Sequence, residues 1–369
     1  MNIASDTSLI LHPGRRPAIT GGLSGLAERL LVDRHVDTVA DVLGRLYALC
    51  GVAHRVCATL AVNAALGRVG HAKHEQLRML ADETTREHVR CIWLDWPVRL
   101  ASGHHAILPG DVSNIPLLRY GSTLDEARYW LERAALGMRL DAWLNGWNED
   151  PAGFLGSWSE RCCTWPAKAL AYCREHAQEN VPCHPLLVHA QPVTLRAQAA
   201  RMAVLADSTF LAADEPPCET GCWTRLNQTS LGSAIDTVWL RLGCRVAELA
   251  RLLATVPDRR GTKGLVCGAL PAGELRAISW CEMSRGLLMH WVELRDTAHG
   301  PMVGDYRIVS PTDWNFHPRG AVARTLERFP ASASLSGWKR AAVLAAAYDP
   351  CVAYQIGYAN KDDARMDHA

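Results

Sequence analysis

The chain has no intact Cys-x-x-Cys pair, although it carries 13 cysteines. That absence removes the usual signature of a zinc knuckle or an iron–sulfur run. The cysteine count is odd and the spacing scattered, so no disulfide framework is predicted. No run of 18 apolar residues occurs, and no membrane span is expected. The first residues, Met1 to Leu11, lack a basic stretch, a long apolar core and a small-residue cleavage site; no secretory signal is expected, and the expected compartment is the cytoplasm. There are 39 Lys and Arg against 38 Asp and Glu, interspersed, for a net charge of +1. A nucleic-acid partner calls for a clustered basic surface, which this pattern does not supply. Internal repeats and low-complexity linkers are also absent. Phenylalanine is scarce at 4 while tryptophan reaches 13, so large rigid indoles must fill the core or line a partner surface.

With 369 residues the chain suffices for one large domain or two ordinary ones and for a real core. Residues 1–22 read as a flexible, loop-like segment. The reading then gives one domain over 23–359 and a polar tail over 360–369. Apolar periodicity predicts helices near 24–32, 36–49 and 53–66, then a long amphipathic helix over 72–101 bent near Pro97. Thr123-Leu124-Asp125-Glu126 is a capping box opening a helix to about Trp143. The tryptophan- and proline-bearing stretch 145–192 reads as irregular. Helices follow at about 195–205 and 230–254. Strands are predicted at 275–283, 287–294 and 306–309, with a turn at Ala298-His299-Gly300-Pro301. A last apolar helix over 336–347 delivers the chain to Asp349-Pro350-Cys351. Cys91, Cys173, Cys244 and Cys267 lie in apolar stretches and read as small buried hydrophobes.

Two cysteines stand apart. Cys50-Gly51-Val52-Ala53 and Cys351-Val352-Ala353-Tyr354 look like metal-binding pairs that kept the first cysteine and lost the second, at Ala53 and Tyr354. Cys50 falls at or just before a helix N-terminus, where unpaired amides and the helix dipole favour a thiolate. His54 lies one turn further on, and Cys57 on the turn after that.

Five motifs occur in order: Cys50-Gly51-Val52-Ala53; Glu219-Thr220-Gly221 with Arg225; Glu282-Met283-Ser284-Arg285-Gly286 running on to His290-Trp291; Tyr306-Arg307-Ile308-Val309-Ser310-Pro311-Thr312-Asp313-Trp314-Asn315; and Asp349-Pro350-Cys351. The set resembles the large subunit of nickel–iron hydrogenases, from about Arg45 to Ile356. In that family the terminal motifs read Cys-Gly-x-Cys-x-x-x-His and Asp-Pro-Cys-x-x-Cys-x-x-His. Their four cysteines hold nickel, and the second of each pair also bridges to an iron that carries cyanide and carbon monoxide. Here the bridging positions are Ala53 and Tyr354, and the histidine positions are Cys57 and Gly357. Ser284 stands where the family has proline, and the family's N-terminal Glu motif has no match in residues 1–35. With these departures the chain looks like a hydrogenase expression/formation protein of the HupK/HoxV type, a non-catalytic relative of the large subunit.

The resemblance implies an α+β fold, mainly α: a large-subunit-like helical bundle with a small antiparallel β element. It implies that Cys50 and Cys351, the family's nickel-only positions, face one another and hold an Fe(CN)2(CO) unit transiently, with no nickel and no enzymatic activity. Cys57 or His54 is the alternative third ligand, and packed side chains are the bland reading of both. Arg285 matches the arginine near the cyanides, and Pro311-Thr312 the groups presented to them. Asp349 either accepts from Arg285 or a backbone amide, or is simply the turn residue before Pro350. The implied partners are a small HypC-type chaperone, a HypD-type assembly protein and the hydrogenase large subunit. The competing reading is a metal-free chaperone or structural paralogue in which both cysteines are relics. No trimming of the tail is expected. His71, His74, His104 and His105 read as exposed polar residues. Cys162-Cys163 and Cys218/Cys222 lack metal-type spacing, and the stretch 143–165 is either core or partner surface.

Overall fold

Two strands, β1 (Leu9–Leu11) and β2 (Ile19–Gly21), form an antiparallel pair in the segment expected to be a loop. The structure is a computed structural model, and it describes residues 8–22, 25–68, 72, 74–100, 112–119, 121–181, 184–204, 218–226, 236–254, 265–331 and 334–357. The N-terminal expectation is therefore corrected for residues 8–22. Pro13, Gly14 and Pro17 mark only the connection between the strands, and Leu9, Leu11 and Ile19 are buried. The expected polar tail lies outside the described residues.

Helix α1 (Leu26–Leu31) leads to α2 (Val36–Leu46), whose Val36, Val39 and Leu43 form the buried stripe the periodicity implied. Next comes α3 (Gly51–Ala65), packed on α2. Gly51 permits that crossing: a Cβ there would lie 2.5 Å from the carbonyl oxygen of Gly44. The long helix predicted next is α4 (His74–Arg90), continued by a π-helical turn, Cys91–Asp95, into α5 (Trp96–Arg99). The irregularity thus begins at Cys91, ahead of Pro97. Helix α6 (Leu124–Trp130) opens with the expected capping box. It passes through a second π-helical segment, Leu131–Leu136, and stops at Gly137, where the chain turns left-handed; α7 (Leu140–Glu149) starts afresh.

The stretch expected to be irregular is largely helical. Helices α8 (Pro151–Arg161) and α9 (Trp165–Cys173) each carry proline in the first turn, where a missing N–H costs nothing. The prolines begin helices here rather than break them. Strand β3 (His184–Pro185) precedes α10 (Pro192–Val204) and pairs in parallel with β4 (Cys218–Glu219). After α11 (Cys222–Leu226), helix α12 (Val238–Leu253) runs through the centre with almost every residue buried. It packs on α4, α7, α8, α9 and α15 (Leu335–Tyr348). Trp143, Trp147 and Trp158 interlock beside it, the last edge-on to Trp143, so these indoles fill core.

Strands β5 (Cys267–Gly273), β6 (Arg276–Met283), β7 (Gly286–Arg295) and β8 (Met302–Val309) make an antiparallel meander in chain order. Strand β5 escaped the sequence reading because Gly268, Pro271 and Gly273 weaken its strand character; it is an edge strand, where proline is tolerated. Helices α3 and α10 both pack on this sheet. Short helices α13 (Pro311–Asn315) and α14 (Ala321–Glu327) precede α15, and β9 (Tyr354–Ile356) pairs in parallel with β1. The architecture is α+β, mainly α. No helix among the described residues is long and apolar enough to cross a membrane.

Replacing Gly51 by Ala should cost about 1–3 kcal/mol, because the added Cβ meets backbone that has to move. The same change at Gly22, where a Cβ would meet nothing within 4 Å, serves as control. Urea unfolding midpoints of the two variants should differ clearly; equal midpoints would contradict the close crossing of α2 and α3.

Candidate functional site

Cys50 is the N-cap residue of α3 and is buried. The first free amides of this helix are not open to its sulfur: Val52 N and Ala53 N donate to the Glu83 carboxylate at 2.7 and 3.1 Å. Burial pushes the Cys50 thiol well up, and the nearby Cys351 adds to the rise; the Arg285 charge opposes it. The sequence expectation of a favoured thiolate is therefore corrected for the free protein: desolvation outweighs the helix N-terminus. Glu83 is itself lifted to about 7, by burial first, against the two amide bonds.

Cys351 arrives by a sharp turn. Helix α15 ends at Asp349, a non-glycine residue with φ of 48°. A residue before proline is steered away from the right-handed helical region, and aspartate tolerates the left-handed one. The turn sets Cys351 on α13: Thr312 Oγ1 lies 3.1 Å from the Cys351 sulfur and accepts from its backbone N–H at 3.1 Å. Thr312 is presented by a second capping box, with Ser310 and Asp313 exchanging hydrogen bonds and Pro311 in the first turn. Burial raises the Cys351 thiol, while Thr312 and Arg285 work the other way.

Arg285 lies at the turn between β6 and β7, with both neighbours buried. Its Nε donates to the Asp349 carbonyl at 2.9 Å, Nη1 to Glu87 at 3.1 Å, and Nη2 meets the Asp349 carboxylate at 3.1 Å. Asp349 also meets Arg99 at 3.1 Å and Arg245 at 3.7 Å. Burial would raise the Asp349 carboxyl, but Arg285, Arg245, Arg99 and Arg90 together hold it at about 2. So Asp349 is both the turn residue and the arginine's acceptor. A guanidinium has five N–H groups, so Arg285 keeps donor capacity beyond these three contacts.

A second layer holds this one. Asn315 clasps the Thr220 backbone, accepting from its N–H and donating to its carbonyl, each at 2.9 Å. Thr220 Oγ1 accepts from Leu287 N at 2.8 Å. Gly286 has φ of 132°, and a Cβ there would lie 2.5 Å from the Thr220 side chain. Arg225 grips Glu248 of α12 through Nε and Nη2 and also binds Glu282, while His88 of α4 meets Glu248 at 2.7 Å. The second, third and fourth motifs thus interlock, with Glu282 and Asn315 acting as frame.

His54 and Cys57 point elsewhere. His54 stacks on Tyr47 at 3.6 Å and hydrogen-bonds His290 at 3.1 Å; His290 continues to Tyr306 at 2.8 Å. Burial, and His290 after it, lowers the His54 pKa well below normal. Cys57 lies 3.1 Å from the Ser279 hydroxyl and is fully buried. Both are packed against the sheet. Tyr354 lies under the Arg99 guanidinium at 5.2 Å, and Ala53 is fully buried. His71, His104 and His105 lie outside the described residues; His74 is exposed at the start of α4.

Sequence reasoning missed Glu83, Glu87, Arg99 and Arg245. The i, i+4 spacing of Glu83 and Glu87 on a helix was the available signal, but no motif marks them. It also read Cys91 as a small buried hydrophobe. Burial does push its thiol up to about 12, yet it lies with Asp95 and Asp349 in a group whose ligand atoms are all within 4.8 Å. Arg90, Arg99, Arg245 and Arg285 already neutralise those carboxylates, which opposes a cation there.

Residues 260–355 match the nickel-dependent hydrogenase family. The chain is 43% identical to the hydrogenase expression/formation protein HoxV of Cupriavidus necator, over 97% of each chain. It is 27% identical to the hydrogenase expression/formation protein HupK of Bradyrhizobium diazoefficiens, over 96% of this chain and 94% of that one. The chain belongs to the HoxV/HupK-type hydrogenase expression/formation proteins. Among solved structures it is similar to an NAD+-reducing [NiFe]-hydrogenase (TM-score 0.50, 15% identity, covering 89% of this chain and 90% of that one). It is equally similar to the Ni-Fe-Se hydrogenase of D. vulgaris Hildenborough (TM-score 0.50, 15% identity, 90% and 92%). The likeness to these two solved structures is one of fold.

Asp349→Asn should destabilise the protein by about 3–5 kcal/mol, since it leaves buried guanidinium groups short of a counter-charge. Because the Asp349 carboxyl is depressed, its stabilisation is fully present above the ordinary carboxylate range and fades as pH falls toward about 2. Urea titrations across pH 2 to 7 should show a weaker acid-limb dependence in the variant; an unchanged midpoint at pH 7 would contradict the assignment.

Proposed function

We propose that this protein is a nickel–iron hydrogenase maturation factor, a scaffold that takes up the Fe(CN)2(CO) unit through Cys50 and Cys351 and hands it on. The observation that carries the reading is the convergence of these two thiols beside Arg285, with alanine and tyrosine where two further thiolates would complete a cage. The names of the relatives, hydrogenase expression/formation proteins, support the maturation role.

The chemistry is consistent with an iron cargo. Soft thiolates suit a low-spin iron that already carries strong-field ligands. Uptake must expel the thiol protons, and the Arg285 charge favours the resulting thiolates. The remaining guanidinium donors suit an anionic diatomic ligand, and Thr312 offers a hydroxyl beside Cys351. Two protein ligands hold less firmly than four, as a carrier requires. Without bridging thiolates nothing fixes a nickel–iron distance, so the reading assigns no hydrogen chemistry and no nickel. Within it the unit comes from HypC-type and HypD-type proteins, the recipient is the hydrogenase large subunit, and the setting is the cytoplasm.

Cys50→Ala and Cys351→Ala, produced in a cell that makes a nickel–iron hydrogenase, test the proposal. The scaffold requires that each variant purify folded, lose its iron and lower hydrogenase activity in the cell. Full hydrogenase activity with both variants would instead support a metal-free chaperone.

A further inference from the structure

The register of the sheet places Cys267 of the edge strand β5 directly opposite Cys281 of β6. Glu282 N donates to Val266 O at 2.7 Å, so the adjoining pair Val266–Glu282 is the hydrogen-bonded one. Cys267 and Cys281 therefore occupy a non-hydrogen-bonded position, where opposed Cα atoms approach to about 4.5 Å and side chains come closest. A disulfide spans Cα atoms roughly 4.4–6.8 Å apart. Both cysteines are free, and the register sets their side chains against each other on one face of the sheet. Cys281 is fully buried beneath α3, whereas Cys267 is partly open to solvent.

We propose that Cys267 and Cys281 form a redox-active dithiol that takes a low-molecular-weight disulfide, of the glutathione class, as its oxidant. The two members divide the roles. The neighbouring Cys281 draws the Cys267 thiol below its ordinary range, while burial first, and Cys267 beside it, push Cys281 up. Cys267 is the accessible, more readily ionised attacker and Cys281 the sheltered resolving thiol. The Cys267 thiolate attacks one sulfur of the small disulfide, forming a mixed disulfide and releasing one small thiolate. Cys281 then gives its proton to solvent and attacks the Cys267 sulfur, releasing the second small thiol. The protein loses two electrons and two protons, and one disulfide becomes two thiols.

A further close thiol pair, Cys222 of α11 with Cys244 of α12, lacks an accessible member, since both are buried. Cys57 lies nearby but is engaged with Ser279. A bridge at Cys267–Cys281 would clamp the edge strand to β6, the strand that ends beside Arg285 and lies under α3. The redox state would thus be set in the same core cluster that holds Cys50, beneath the helix it caps. This inference is independent of any cargo.

The test uses the reduced full-length protein without iron. It is treated with oxidised glutathione under anaerobic conditions, quenched in acid, alkylated and mapped by mass spectrometry. The proposal requires a linked peptide pair containing Cys267 and Cys281, with Cys222 and Cys244 still alkylated. Cys281→Ala should stop at a glutathione adduct on Cys267, and Cys267→Ala should show neither adduct nor link. Far-UV circular dichroism checks that both variants fold. Wild-type protein with Cys267 and Cys281 still fully alkylated, an adduct on Cys267 that never resolves, or a link through Cys57 would each overturn it; the wild-type result alone decides if a variant does not fold.

Discussion

A buried guanidinium, that of Arg285, is the constraint on which the site depends. A charge taken out of water must be paired and hydrogen-bonded or it is strongly destabilising. Arg285 meets that demand by drawing together Glu87 from α4 and both the carbonyl and carboxylate of Asp349. Once Asp349 is held there, its left-handed turn fixes where Cys351 leaves α15, and Thr312 receives it. The same arginine lies close enough to Cys50 to oppose the burial of its thiol. One side chain therefore ties segments far apart in sequence to a common centre.

The frame around this centre is as constrained as the centre. Asn315, Thr220 and Gly286 meet through backbone contacts, and Arg225, Glu248, Glu282 and His88 form a buried ionic lattice. Such a lattice carries its own desolvation cost, so its worth lies in geometry more than in net stability. Tyr354 is stacked beneath Arg99 and Ala53 is sealed in the core, so these two positions serve packing. A rigid frame around two thiols is what the proposed scaffold requires.

Much of this was legible in the sequence because motifs encode it. Cys50, Arg285, Thr312, Asp349 and Cys351 lie in short, recognisable strings, and the structure brings them together. Helix positions with clean periodicity, such as Val36, Val39 and Leu43, were equally readable. The failures share a cause: they turn on tertiary context. Pro151 and Pro166 signal a helix start only when an N-cap residue precedes them, so α8 and α9 were read as irregular. The strand at Leu9–Leu11 depends on pairing with Ile19–Gly21 and with Tyr354–Ile356, a partner at the other end of the chain. The ionisation of Cys50 reversed because burial and the capping by Glu83 cannot be seen in a helix start alone. Arg245 and Glu87 carry no motif, and only the fold reveals that they belong to the site.

The most direct measurement is the infrared spectrum of the protein purified anaerobically from a cell that makes hydrogenase. The account predicts stretching bands of metal-bound carbon monoxide and cyanide, lost in Cys50→Ala and in Cys351→Ala. A folded wild-type protein with neither those bands nor iron, isolated while hydrogenase is being assembled, would contradict it.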